Sequence, residues 1–524
     1  MKKVLFLLTF MLLFCALPVF AMAEGEEIDP ANPYGIYVGG VAVTEANQSD
    51  ILGDGTAFYT PQNDTLTLRH FKAKEFYSLK GTLYSVYCSG KTNILIEGKD
   101  NRFPQGVFTA TGSITLKGAD VNFGNSAFFF LSATEGNLTL ENSSVWLGDL
   151  TYVQSDTYCV RAKNIKMNHS SFTLSTTTPT ATYCNAIIYA STELVAEDSG
   201  FLFSLPYPIC GAMFLGGNLM FDNCDIDITR GNYAFHTQWG VIQFSECDVK
   251  VKETRSFSSS PDFLVVDSEI QASLFYQGIH AVGSTEGEGF VAASSKLDLK
   301  MLSFEEIEST IMRSIWDNMD ASERVDFGQS YDNYILSFKN TSYKTATEGN
   351  AAIAVTGGGC YLYKTEIATK DFDFGILGLY GVPLEIDSRC DLKLSANAAA
   401  FLWFALSYEG VLLDSHRLTS NRLTYTDVPK SLEKVGTIAV CSSENRLTFK
   451  GSGDIESTAD LLDRISGMGG EIRIRTAPYT STIVLVTLLL VLLGGGFTLA
   501  AVMIFVPNFR MAKAIKAQKK KARK

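Results

Sequence analysis

The chain has 524 residues, of which 46% are hydrophobic and 19% charged, and its formal net charge is −12. That charge is segregated: residues 1–23 carry two lysines, residues 507–524 carry eight basic side chains, and residues 24–482 hold 34 basic against 56 acidic groups. A body at −22 repels nucleic acid and favours cations, basic partners or neutral glycans.

The N-terminus reads as a secretory signal over residues 1–23. Lys2 and Lys3 precede an apolar run from Val4 to Phe20, and Ala21-Met22-Ala23 supplies small residues for cleavage. Nine cysteines follow Cys15, at positions 88, 159, 184, 210, 224, 247, 360, 390 and 441. They form no C-x-x-C pair and no zinc spacing, and they are spread too widely for a disulfide framework. They read as small buried apolar residues.

Residues 24–79 have their own texture. Tyr34-Gly35-Ile36-Tyr37-Val38-Gly39-Gly40-Val41, Leu52-Gly53-Asp54-Gly55-Thr56 and Thr65-Leu66-Thr67-Leu68 alternate around glycine turns, which predicts a small antiparallel β unit. This stretch is similar to the leader module of surface proteins of gut Firmicutes, some of them labelled carbohydrate-binding. Its expected role is to cap the strand edges of whatever follows. Asp54, between two glycines, reads as a turn residue.

From residue 80 to 475 a short pattern recurs: apolar, any, apolar, a bend of Asn, Ser or Gly, then a second alternating stretch. Ile94-Leu95-Ile96-Glu97-Gly98, Ile114-Thr115-Leu116-Lys117-Gly118, Leu219-Met220-Phe221-Asp222-Asn223 and Ile242-Gln243-Phe244-Ser245-Glu246 are among its copies. Between Ile94 and Val291 the steps vary from 20 to 29 residues. A coil that bulges at its corners tolerates such variation; a hairpin repeat does not. Alternation says that one side of each strand is buried, and the bend residues accept turn geometry.

About 25 residues is one turn of a parallel β-helix. Over residues 80–475 the chain resembles the right-handed parallel β-helices of the pectate-lyase-like family. Further copies at Leu264, Val291, Leu336, Tyr361, Leu384, Val411 and Leu447 bring the expected total to about fourteen rungs, a rod of roughly 65 Å. Cys224 and Cys247 should then sit one above the other in a ladder of small side chains.

Within the repeats, Asp222, Asp225, Asp227, Glu246 and Asp248 form the densest carboxylate group. Asp225 and Asp227 share a strand face, and Asp248 should stack over Asp225, where calcium would relieve the repulsion. A solvated acidic face is the competing reading. His236 and Trp239 lie on a neighbouring rung as candidate members of a sugar platform. Arg161-Ala162-Lys163 matches the R-x-K of polygalacturonases, but that family's Asn-Thr-Asp and Asp-Asp elements are absent. No Ser-His-Asp signature, phosphate loop or zinc motif is present.

Two further segments complete the order. Phe304, Ile307, Ile311 and Ile315 share one helical face, and Ser303 with Glu306 makes a capping box, predicting a helical excursion over 303–320. After a short linker, 476–482, residues 483–506 hold no charged side chain. At about 1.5 Å per residue they reach roughly 36 Å, enough to span a bilayer. The basic tail, 507–524, belongs on the cytoplasmic side.

The expectation is therefore an all-β, single-pass membrane protein of the cell surface. It would carry an N-terminal β cap, a β-helix with one helical insertion and a C-terminal transmembrane helix. Its rod would bind a glycan, a cell-wall polymer or a neighbouring surface protein. Polysaccharide cleavage by the clustered carboxylates is the alternative, and a structural spacer a third.

Overall fold

The computed structural model describes residues 32–303 and 351–403, apart from short stretches inside them, together with Glu306 and five strands between 418 and 476. The chain coils as an all-β parallel solenoid of about ten turns. Each turn passes through three stacked sheets. Sheet I begins with Thr82–Cys88 and Gly106–Thr109, sheet II with Thr65–Arg69, Asn93–Glu97 and Ile114–Lys117, and sheet III with Asn101–Phe103 and Asp120–Phe123. The pairing is parallel from turn to turn, as a coil requires.

Sheet II carries the recurring pattern. Ile94, Ile114, Leu138, Ile165, Leu194, Leu219 and Ile242 pair in succession and point into the core. Inside the coil, like side chains stack: Phe214 on Phe235 with centroids 5.2 Å apart, and Phe221 on Phe244 at 5.3 Å. Such ladders form because a parallel register places identical positions one rung apart.

The bend from sheet II to sheet III is uniform. In successive turns one residue there adopts a left-handed conformation: Gly98, Gly118, Asn142, His169, Asp198, Asn223, Glu246, Asp267, Ser294 and Lys364. From Gly118 onward the next residue points inward and is usually a hydroxyl. Ser199 donates to Glu197 O at 2.7 Å and accepts from Ser170 N at 3.2 Å; Ser170 and Ser268 repeat the arrangement. Cys224 and Cys247 occupy this ladder as buried free thiols, as the stacking of small side chains predicts. The hydrogen bond to the Cys247 sulfur, with burial, pushes the Cys224 thiol up.

Variation in turn length sits elsewhere. In the early turns it falls between sheet III and the next sheet I, at residues 124–129, 148–158, 175–184 and 205–210. From Asp248–Ser260 onward that corner is continuous strand, except that residues 302–350 separate Lys296–Met301 from Ala351–Val355, and other extra residues fall at the corner between sheets I and II, as at 238–240.

Both ends are antiparallel. Ile36–Val38 pairs with Val41–Ala42 through Gly39 and Gly40, whose φ angles are +54° and +79°, and also with the first strand of sheet I. Ala57–Thr60 and Thr65–Arg69 form a hairpin whose second strand starts sheet II. Asp54 accepts from the Thr56 N–H and hydroxyl, at 3.0 and 2.6 Å, which is a turn role. At the far end Gly470–Thr476 lies antiparallel on Asp391–Trp403.

Three expectations change. The coil has about ten turns, not fourteen. The copy at Leu336 lies outside the described residues, and strands on either side of 304–350 pair directly: Ile279 with Ile353, Phe290 with Cys360, Leu297 with Ile367. The copy at Leu447 lies in Arg446–Thr448, which pairs antiparallel with Ile438–Cys441. Val411 lies outside the described residues. At about 4.8 Å per turn the rod shortens to roughly 48 Å. The copies at Leu264, Val291 and Tyr361 are each one residue late, since Ile242 pairs with Phe263, Phe263 with Phe290 and Phe290 with Cys360.

Among the described residues no helix is long and apolar enough to cross a membrane, and residues 1–23 and 483–506 lie outside them. The capping box at 303–306 is formed: Glu306 N donates to Ser303 Oγ at 3.2 Å and the Glu306 carboxylate accepts from Ser303 N at 2.8 Å. Residues 307–320 of the expected helix lie outside the described residues.

Candidate ligand-binding groove on sheet III

The outward side chains of sheet III form columns along the rod. One column runs Ser144, Ser171, Gly200, Asp225, Asp248, Glu269. The column beside it runs Trp146, Thr173, Leu202, Asp227, Lys250, Gln271. Asp225 and Asp227 thus share a face, and Asp248 stacks over Asp225, as their spacing predicts.

A cavity of about 440 Å³ opens on this face, lined by Ser171, Thr173, Gly200, Leu202, the three aspartates and Lys250. Its origin is local. Ser171 and Gly200 contribute almost no side chain to their column, whereas Leu202, Asp225 and Asp227 stand up around them. A Cβ built on Gly200 meets nothing closer than 4.0 Å, so the notch is open. Glycine in a strand interior weakens pairing and marks a place where something approaches the backbone. Leu202 is 48% exposed, and Trp146, one rung beyond the cavity, is 52% exposed.

The carboxylates are compensated within the chain. Lys250 Nζ lies 2.7 Å from Asp248 Oδ2, and Lys252 Nζ lies 3.4 Å from Asp227 Oδ2. The bond to Asp248 raises the Lys250 ammonium above its ordinary value, with Asp227 and Asp225 adding to the effect. Asp225 has no ion pair among the described residues, and Asp248 Oδ1 is shielded from solvent without a hydrogen-bond partner. Asp225, which is exposed, is therefore the acceptor open beside an apolar wall. Among the described residues no group of three or more His, Cys, Asp or Glu side chains is close enough to hold a metal ion. Lysines supply the positive charge that the stacked aspartates were expected to need.

The other expected residues lie apart from this groove. Asp222 ends the sheet II part of Cys210–Asp222, and Glu246 is the left-handed residue of the next bend, so both flank the corner. His236 points outward from sheet I, and Trp239, 87% exposed, sits on the corner between sheets I and II. Neither faces the aspartates. Arg161 is also on sheet I, its guanidinium over the rings of Tyr158 and Tyr189 at 5.5 and 5.9 Å.

Gly200, Leu202, Trp146 and Lys250 were not singled out by sequence. The available signal was Gly200-Phe201-Leu202-Phe203, where glycine and leucine take outward positions that alternation reserves for polar residues. Comparison with protein-family models, curated proteins and solved structures finds no match to this chain. Fold and groove therefore stand on their own geometry.

Proposed function

We propose that this protein is a membrane-anchored, extracytoplasmic binding protein whose sheet III groove takes a neutral glycan or cell-wall polymer. The observation that carries this reading is the open notch at Gly200, bordered by the exposed Leu202 on one side and the unpaired Asp225 carboxylate on the other. Sugars present both an apolar ring face and hydroxyl donors. Leu202 and Trp146 suit the first, Asp225 the second. Net negative charge in the groove disfavours acidic polysaccharides. The signal and the apolar span at 483–506 support the location.

Glycan-array binding by the full-length chain in detergent tests this, with Gly200→Val as the discriminating variant. Valine suits a strand and meets open space, so the fold should hold while the notch fills. Binding of neutral oligosaccharides by the parent should drop tenfold or more in the variant. Equal binding by both would remove the groove from the function. Release of reducing ends from the bound glycan would turn the reading to a polysaccharide-cleaving enzyme.

A further inference from the structure

The inward residue after each bend from sheet II to sheet III builds a buried ladder along the coil. Its successive occupants include Ser143, Ser170, Ser199, Cys224, Cys247, Ser268, Ser295 and Thr365, none more than 5% exposed. Asp225 and Asp248, the next residues along, are register partners, so Cys224 and Cys247 lie one directly above the other on adjacent turns. Among the described residues they are the one pair of neighbouring rungs in this ladder that both hold sulfur, and both thiols are free.

A thiol serves this ladder less well than a hydroxyl. Ser170, Ser199, Ser268 and Ser295 each donate to a carbonyl of their own turn at 2.7 or 2.8 Å. The sulfurs stand farther off, Cys224 Sγ at 3.4 Å from Asp222 O and Cys247 Sγ at 3.2 Å from Ser245 O. S–H is a weak donor and sulfur a weak acceptor. Two adjacent cysteines thus give up hydrogen bonding that serine provides on the rungs to either side. What sulfur alone offers in that place is a bond to sulfur.

The spacing suits such a bond. Adjacent turns lie about 4.8 Å apart, within the Cα separation of roughly 4.4–6.8 Å that disulfides adopt. The Cys224 thiol already hydrogen-bonds the Cys247 sulfur. Its contact on the opposite side, 3.5 Å to Ala196 O, is long and readily given up. Position gives the bond a consequence. Cys224 immediately precedes Asp225 and Cys247 immediately precedes Asp248, and both aspartates line the groove. Asp248 N also donates to Cys224 O at 3.0 Å, so the two turns are joined at this point by backbone as well.

We propose that Cys224 and Cys247 are a modification site, closing into a disulfide that staples two turns of the coil beneath the sheet III groove. One cysteine thiolate attacks the disulfide of an oxidised dithiol and displaces a thiolate; the second cysteine attacks the mixed disulfide and displaces the other. One S–S bond forms in the chain, one is reduced in the oxidant, and the two thiol protons pass to the released thiolates. Because both sulfurs are buried, exchange takes place while the bend is open, during folding or local unfolding. Oxidised dithiols act where exported chains fold. The natural oxidant therefore rests on the extracytoplasmic location proposed above, whereas the cross-link does not depend on what the groove binds.

Oxidised glutathione replaces the natural oxidant in the test. The full-length chain in detergent is reduced, warmed with oxidised glutathione to just below its melting midpoint, denatured in N-ethylmaleimide and digested. Mass mapping should find a peptide pair joined through Cys224 and Cys247, and the oxidised chain should melt several degrees above the reduced one. Cys224→Ser, which restores the hydroxyl of the neighbouring rungs, should fold and abolish both effects. Absence of the link, a link between another pair such as the register partners Cys184 and Cys210, or a gain in melting point that survives Cys224→Ser would each overturn the inference. If Cys224→Ser does not fold, the peptide map of the parent decides alone. A link formed by glutathione in a chain whose two thiols are free when taken from intact cells would uphold the pair and count against the proposed location.

Discussion

Ser199 donates to its own turn and accepts from the turn before, and its side chain is buried. Ser199→Ala leaves the Ser170 N–H without that acceptor, so it should cost about 1–3 kcal/mol, read as a lower midpoint in urea. His236 makes a different prediction. Burial pushes its imidazole below the ordinary value of 6.5, and Nδ1 has no hydrogen-bond partner. The unfolded chain therefore takes up a proton at a higher pH than the folded one. Stability from this group is intact above pH 6.5 and is lost as pH falls through the lower folded value. Melting temperature should decline across that window, and His236→Gln should flatten that part of the profile. An unchanged profile would show that His236 is not the group responsible.

The elements show which parts of the coil were legible and why. In 114–117 and 242–245 apolar and polar residues alternate, so inward positions were read directly. In Asp262–Val266 four consecutive residues are buried, and alternation gives no phase; choosing Leu264 over Phe263 shifted the register by one. The Asn/Ser/Gly bends were recognisable because left-handed backbone restricts residue choice, although Glu246 and Lys364 also adopt it. The copy at Leu447 was misread as a rung because a short alternating segment fits a degenerate repeat even where it pairs antiparallel. The aspartate cluster was visible as composition, but its groove depended on Gly200, whose meaning is the absence of a side chain. Close stacking of glycines carries a prediction of its own. A Cβ on Gly136 would lie 1.8 Å from Gly112 O, so Gly136→Ala forces two neighbouring turns apart. It should lower the thermal midpoint by several degrees, unlike Gly200→Val, which meets open space.

As a whole, the molecule is a rod of roughly 48 Å with antiparallel strands at both ends and three faces of different character. Sheet II presents the regular repeat, sheet III a charged groove, and sheet I strands whose one charged side chain is Arg161. Capping both ends with antiparallel strands limits edge-to-edge growth, which a coil with bare parallel edges would invite. Under the proposed anchoring by residues 483–506, a rod of this length would work close to the bilayer, which would make wall polymers the nearest ligands. The measurement that bears most directly on the glycan-binding account is hydrogen–deuterium exchange of the full-length chain with and without neutral wall oligosaccharides. The account predicts protection confined to 171–174, 200–203, 225–228 and 248–251, absent in Gly200→Val. Protection elsewhere, or none at saturating ligand, would contradict it.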